Sequence, residues 1–188
     1  MEGDEVLAPP AKRRIYSNSG IEVVARRMEE LTDRPWREIL LRQVAGPIGM
    51  RSVFFPPERS PAWGAKSDFS DMVALAAELL APRIVSAETF EEAVSVVFPG
   101  LPGAVPGVGS YESCDWGLGF EIKGFKVPHW TAPGGSPRTF CHFGRSGAFI
   151  WVDPDAAVAC VVGGGARFGS WAKQEWPRFS DAVLGEFS

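Results

Sequence analysis

Reactive side chains are scarce in this sequence, which has two histidines and three cysteines among 188 residues. The cysteines, Cys114, Cys141 and Cys160, are odd in number and show no Cys-x-x-Cys spacing. That excludes a complete disulfide framework and a thiolate zinc site, and predicts reduced thiols. His129 and His142 would need carboxylate partners to hold a metal, and no motif arranges them, so neither metal nor cofactor is expected. Basic clusters are equally sparse. The net charge is −4 and Lys12-Arg13-Arg14 is the only basic run, which excludes nucleic acid, since phosphate binding needs a clustered basic surface. No stretch approaches the ~20 apolar residues of a membrane span. The acidic start, Met1-Glu2-Gly3-Asp4-Glu5, lacks the basic and apolar regions of a secretory signal and points to the cytoplasm.

What the chain has is core-forming material: 45% of its residues are hydrophobic and 22% charged, the balance of one globular unit. Residues 10–98 read as helical. Ile21, Val24, Ala25, Met28 and Leu31 recur at helical spacing. Asp33 and Pro35 suit the start of a second helix carrying Trp36, Ile39, Leu40 and Val44, which stops at Gly46-Pro47. A third helix begins near Ser67 or Asp68, and Ser86 caps a fourth. Residues 99–115 are rich in glycine and proline and predict an ordered loop or a mobile lid.

Beyond that loop the period changes from 3.6 to 2. Trp116, Leu118, Phe120 and Ile122 alternate with small or polar residues, and further strands are predicted over 138–143, 148–152 and 156–162. Asp153-Pro154-Asp155-Ala156 turns between the last two. A terminal helix places Trp176, Phe179, Val183 and Phe187 toward the sheet. Helices first, then residues 116–188 as antiparallel strands and a closing helix, indicate an α+β fold with helices flanking the sheet.

Two short motifs carry chemistry. His142-Phe143-Gly144-Arg145-Ser146-Gly147 puts an imidazole and a glycine at a hairpin, where a substrate carbonyl can approach the backbone and the Arg145 amide can serve an oxyanion. Tyr16-Ser17-Asn18 precedes the first helix. Read alone, Tyr16 packs at the helix entrance and Asn18 caps it.

Together the two motifs resemble those of the serine beta-lactamase-like family: class C beta-lactamases, D-alanyl-D-alanine peptidases, penicillin-binding proteins and related esterases. The resemblance runs from about Pro10 to Val183 and includes Trp116-Gly117-Leu118-Gly119-Phe120. The stretch Trp151-Val152-Asp153-Pro154 looks like bacterial, specifically actinobacterial, serine hydrolases of this group. It implies an incomplete, truncated beta-lactamase/transpeptidase-like fold, the C-terminal portion of a serine hydrolase acting on a small ester or amide through an acyl-serine. In that frame Tyr16 moves protons, Asn18 donates its amide to the substrate, His142 stands where relatives have lysine, and Gly144 and Arg145 bind substrate. Phe143 replaces a threonine or serine, so esterase or peptidase ancestry is as plausible as antibiotic hydrolysis.

The Ser-x-x-Lys element of that family is expected well before Tyr-x-Asn, and the fifteen residues ahead of Tyr16 contain none. Ser170-Trp171-Ala172-Lys173 matches the pattern but opens the terminal helix, which is structural in relatives. The expectations are an inactive chain and self-association through exposed surfaces. The alternatives are a noncatalytic ligand-binding or scaffold domain, and a longer physiological protein.

Overall fold

The computed structural model describes residues 8–188, and the acidic opening segment lies outside them. Helix α1 spans Asn18–Thr32. Its cap is Ser17, whose hydroxyl accepts the Ser19 N–H, so Asn18 is the first helical residue and not the cap. Asp33 also takes another role than expected. It ends α1 in the left-handed region at φ 52°, with its N–H on the Glu29 carbonyl. Helix α2, Trp36–Leu40, is opened instead by Glu29, whose carboxylate accepts the Trp36 N–H at 2.9 Å. It continues as a π-helical turn, Leu41–Ala45, ending at Gly46. Asp68 caps α3, Phe69–Leu80, and Ser86 caps α4, Ala87–Val94.

The glycine- and proline-rich stretch contains a short antiparallel hairpin, β1 Gly103–Val105 with β2 Gly109–Tyr111. The alternating run after it yields only a two-residue strand, β3 Glu121–Ile122. A tight turn interrupts the run: Gly117 N–H meets the Phe120 carbonyl at 2.9 Å and Gly119 sits at φ 94°. A side chain at Gly117 would collide with the Ala93 carbonyl of α4, so this turn packs where only glycine fits.

Strands β4 Phe140–Phe143, β5 Phe149–Asp153 and β6 Val158–Val162 complete an antiparallel sheet of order β3-β4-β5-β6. The two-residue period sorts their side chains into two layers. Cys141, Phe149, Trp151 and Cys160 face Ala172 and Trp176 of α5, Ser170–Phe187. Phe140 and Val152 face Leu79 of α3 and Phe90 and Val94 of α4. The buried stripe of α5 is Ala172, Trp176 and Ser180, while Phe179 and Phe187, expected inward, are exposed. Ser180 fixes this rotation by accepting the Trp151 indole N–H at 3.1 Å. The architecture is α+β, an antiparallel sheet between helical layers.

Candidate active site

His142 lies on β4 opposite Ile150, with the parity of Phe140, so its imidazole is on the α3/α4 face. Tyr16 reaches the same face because the segment before α1 is tied down. Arg14 N–H bonds the Pro102 carbonyl at 2.7 Å, and its guanidinium bonds the carbonyls of Val97 and Phe98. Trp116 enters through its bridge to Glu121. The three rings form a triangle: Tyr16–His142 centroids are 6.2 Å apart, Tyr16–Trp116 5.7 Å and Trp116–His142 6.0 Å. Asn18 is exposed on the first turn of α1, and among the described residues no hydrogen bond or ring contact joins it to this trio.

After β4 the chain turns at Gly144–Gly147, closed by Gly144 N–H on the Ala148 carbonyl and Gly147 N–H on the Gly144 carbonyl. Gly147 is at φ 87° and abuts the Ala166 carbonyl, so its lack of a side chain is required. The Arg145 carbonyl accepts the Phe168 N–H at 3.1 Å, while its own N–H meets no acceptor among the described residues. At Gly144 an added Cβ would make ordinary van der Waals contact with Ser146 Oγ at 3.4 Å, so a side chain fits there.

Burial pushes the His142 imidazole below its usual value, and the Glu121 charge offsets this only in part. Near neutrality the ring is therefore an uncharged hydrogen-bonding group, unlike a lysine. Burial also raises the Tyr16 phenol above its usual value. It stays protonated and can donate a hydrogen bond.

Behind the sheet is a buried polar cluster that sequence reasoning missed. Glu121 accepts the Trp130 indole N–H at 2.8 Å and lies 3.1 Å from His129 Nε2 and 3.6 Å from Lys126 Nζ. Burial alone would raise the Glu121 carboxyl, but the bond from His129, the Lys126 charge and the Trp130 bond outweigh it and hold it below the usual range. Desolvation lowers His129, so its link to Glu121 is a hydrogen bond from a neutral ring. Lys126 also donates to the carbonyls of Ile122 and Asp115. The available signal was three charges, Glu121, Lys123 and Lys126, within one apolar stretch.

The structure does arrange a carboxylate near histidine, contrary to the sequence reading. Ligand atoms of Glu121, His129 and Cys141 fall within 4.8 Å of one another. Lys126 already neutralises Glu121 there, and burial holds the Cys141 thiol well above its usual value and protonated. This chemistry is that of a structural ion pair. Ser170 belongs to α5, whose buried residues pack on the sheet face away from His142.

A phenol, an indole and a neutral imidazole thus converge on one face of an antiparallel sheet flanked by helices. The beta-lactamase family model matches residues 1–163, and the chain belongs to that family. A beta-lactamase from Mycobacterium bovis is 45% identical with a TM-score of 0.93, the match covering 100% of this chain and 69% of that one. EstCE1, described as a hydrolase with promiscuous acyltransferase activity, is 19% identical with a TM-score of 0.71, covering 95% of this chain and 58% of its own. Simvastatin synthase from Aspergillus terreus is 12% identical with a TM-score of 0.70, covering 95% and 56%. The last two show the fold alone. No curated protein sequence matches the chain.

Proposed function

We propose that this chain carries the proton-relay and oxyanion side of a serine-hydrolase site for a small ester or amide. The supporting observation is the approach of Tyr16 to His142, 6.2 Å between ring centroids, although the two are 126 positions apart in the sequence (142 − 16). A serine oxygen would attack the acyl carbon and the carbonyl oxygen would become an oxyanion, which the Arg145 N–H is available to bind. Tyr16 would pass the serine proton to the leaving alcohol or amine. His142 would hydrogen-bond the substrate, and Asn18 would complete the contact from α1.

Among the described residues no Ser-x-x-Lys element precedes these groups, and the Tyr16 phenol, raised by burial, is no base by itself at neutral pH. The chain alone is therefore inactive. Assay with nitrocefin and p-nitrophenyl acetate checks this: turnover lost on Ser170→Ala overturns it, and turnover retained in that variant points to a different nucleophile.

The same raised phenol favours a second reading, a noncatalytic domain that holds a small ligand between Tyr16, Trp116 and His142. Calorimetry that finds ester or carboxylate binding without turnover, lost in His142→Ala, supports it. The helical part 10–98, the connecting stretch 99–115 and the part 116–188 would act as one unit. No helix of the described residues is long and apolar enough to cross a membrane. Three unpaired, buried cysteines fit a reducing cytoplasm. Val24, Leu31 and Phe69, all exposed on α1 and α3, are candidates for self-association.

A further inference from the structure

Between β3 and β4 the usual polarity of the chain is inverted. Lys123, Lys126 and His129 are buried, whereas Phe125 and Val127 are 88% and 86% exposed. The inward charges are satisfied, Lys123 by the Gly135 carbonyl at 2.6 Å and Lys126 by Glu121 and backbone carbonyls. The backbone is pinned as well. Lys123 N–H bonds the Thr139 carbonyl, Gly124 N–H the Pro137 carbonyl, and the Tyr111 hydroxyl the Pro128 carbonyl at 2.6 Å. The loop therefore cannot turn its two apolar side chains inward without uncovering two lysines. Large apolar groups fixed in water in this way mark an interaction surface.

Beside Phe125 lies a cavity of about 260 Å³, walled by Val94, Val96, Ile122 and Pro154 and edged by Glu91 and Arg138. Projection and recess thus share one surface, and so do both signs of charge. We propose that this face binds a second copy of the chain about a two-fold axis, Phe125 of each copy entering the recess of the other. A two-fold interface requires such self-complementarity. Arg138 of one copy meets Glu91 of the other; within one chain Arg138 lies 2.8 Å from Asp155 and 3.6 Å from Glu91, and as all three are exposed the longer contact can exchange partners. The acidic Glu91 and Asp115 beside the recess disfavour an anionic lipid surface.

The contact is small. Each phenylalanine covers roughly 150–250 Å², so two Phe125 and two Val127 side chains leave the interface below the ~1,200 Å² of stable complexes. The dimer is transient, with a dissociation constant on the order of 100 µM. This proposal does not rest on the catalytic reading.

Sedimentation velocity tests it. A monomer below about 10 µM that becomes a dimer at several hundred micromolar is expected. F125D/V127D should stay monomeric throughout, R138E should weaken the dimer, and adding E91R to R138E should restore it. F187D, at the exposed end of α5, should leave it unchanged. Hydrogen exchange of residues 122–128 that slows as concentration rises supports the interface without any variant. A chain monomeric up to about 1 mM, a dimer unaffected by F125D/V127D, or Phe125-dependent binding to phosphatidylglycerol vesicles without dimerisation would each overturn it.

Discussion

On the sheet face covered by α5, Trp130, Trp151 and Trp176 are 1%, 1% and 3% exposed, whereas near the His142 face α1 leaves Val24 and Leu31 at 55% and 67%. The covered side joins Trp130, Phe143, Phe149, Phe168 and Trp176 through edge-on and tilted ring contacts, with a paired carboxylate at its rim. The other face is covered by α3 and α4 over Phe140 and Val152, and is open only at its Tyr16 end, where Tyr16, Trp116 and His142 meet and the phenol is half exposed. The largest buried rings lie on the first face and the proposed ligand site on the second, so substitutions on the two should differ in kind.

The largest effects belong to the covered face. Trp176→Ala removes the ring that joins α5 to the sheet and should cost about 3–5 kcal/mol. That corresponds to a drop of roughly 6–20 °C in Tm for a chain of this size, readable by calorimetry. A change under about 2 °C would erase the contrast between the faces. Glu121→Gln leaves Lys126 buried beside a neutral amide and should cost about 3–5 kcal/mol as well, read by urea unfolding.

An intermediate effect comes from pH. His129 and His142 both lie below the usual value in the folded state, chiefly through burial. Between the folded and unfolded values the unfolded chain binds more protons, so stability is complete above about pH 6.5 and is lost as pH falls below it. The urea midpoint should be lower at pH 5.5 than at pH 8, and His142→Phe should reduce that difference. Asp71 contributes in a separate window. Burial opposes its ionisation, but the N–H groups of Arg51 and Ser52 and the hydroxyls of Ser52 and Ser67 hold it at about 2, so its share is lost only as pH falls from 3.8 toward 2.

The smallest stability effects are expected at the open end of the other face. Tyr16→Phe should change unfolding by less than about 0.5 kcal/mol while weakening ligand binding by calorimetry. A large loss of stability would make Tyr16 a packing residue and remove its place in the site.

Much of this contrast was legible in the residues. The spacing of α1, the Asp68 and Ser86 caps and the three long strands follow from local rules, because cap hydroxyls, carboxylates and alternating side chains act within a few positions. Asp153 makes the turn it was expected to make, its carboxylate accepting the N–H groups of Asp155 and Ala156. The errors came where a distant partner decided. The run from Trp116 to Ile122 keeps its alternation in sequence but breaks at Gly117, which packs on Ala93 of α4. The β1–β2 hairpin formed in a stretch whose glycines and prolines suggested none. Phe179 and Phe187 lost the inner face of α5 to Ser180, whose partner Trp151 lies 29 positions away.

The sequence by itself determined the starts of α3 and α4, the two-residue period and the two motifs that bear Tyr16 and His142, since each depends on neighbours along the chain. Only the tertiary structure decided that those two rings meet, that Glu121 sits with His129 and Lys126, and that Phe125 points outward. Each of these is a balance of burial against solvation, and that balance is set by groups brought together from far apart in the chain.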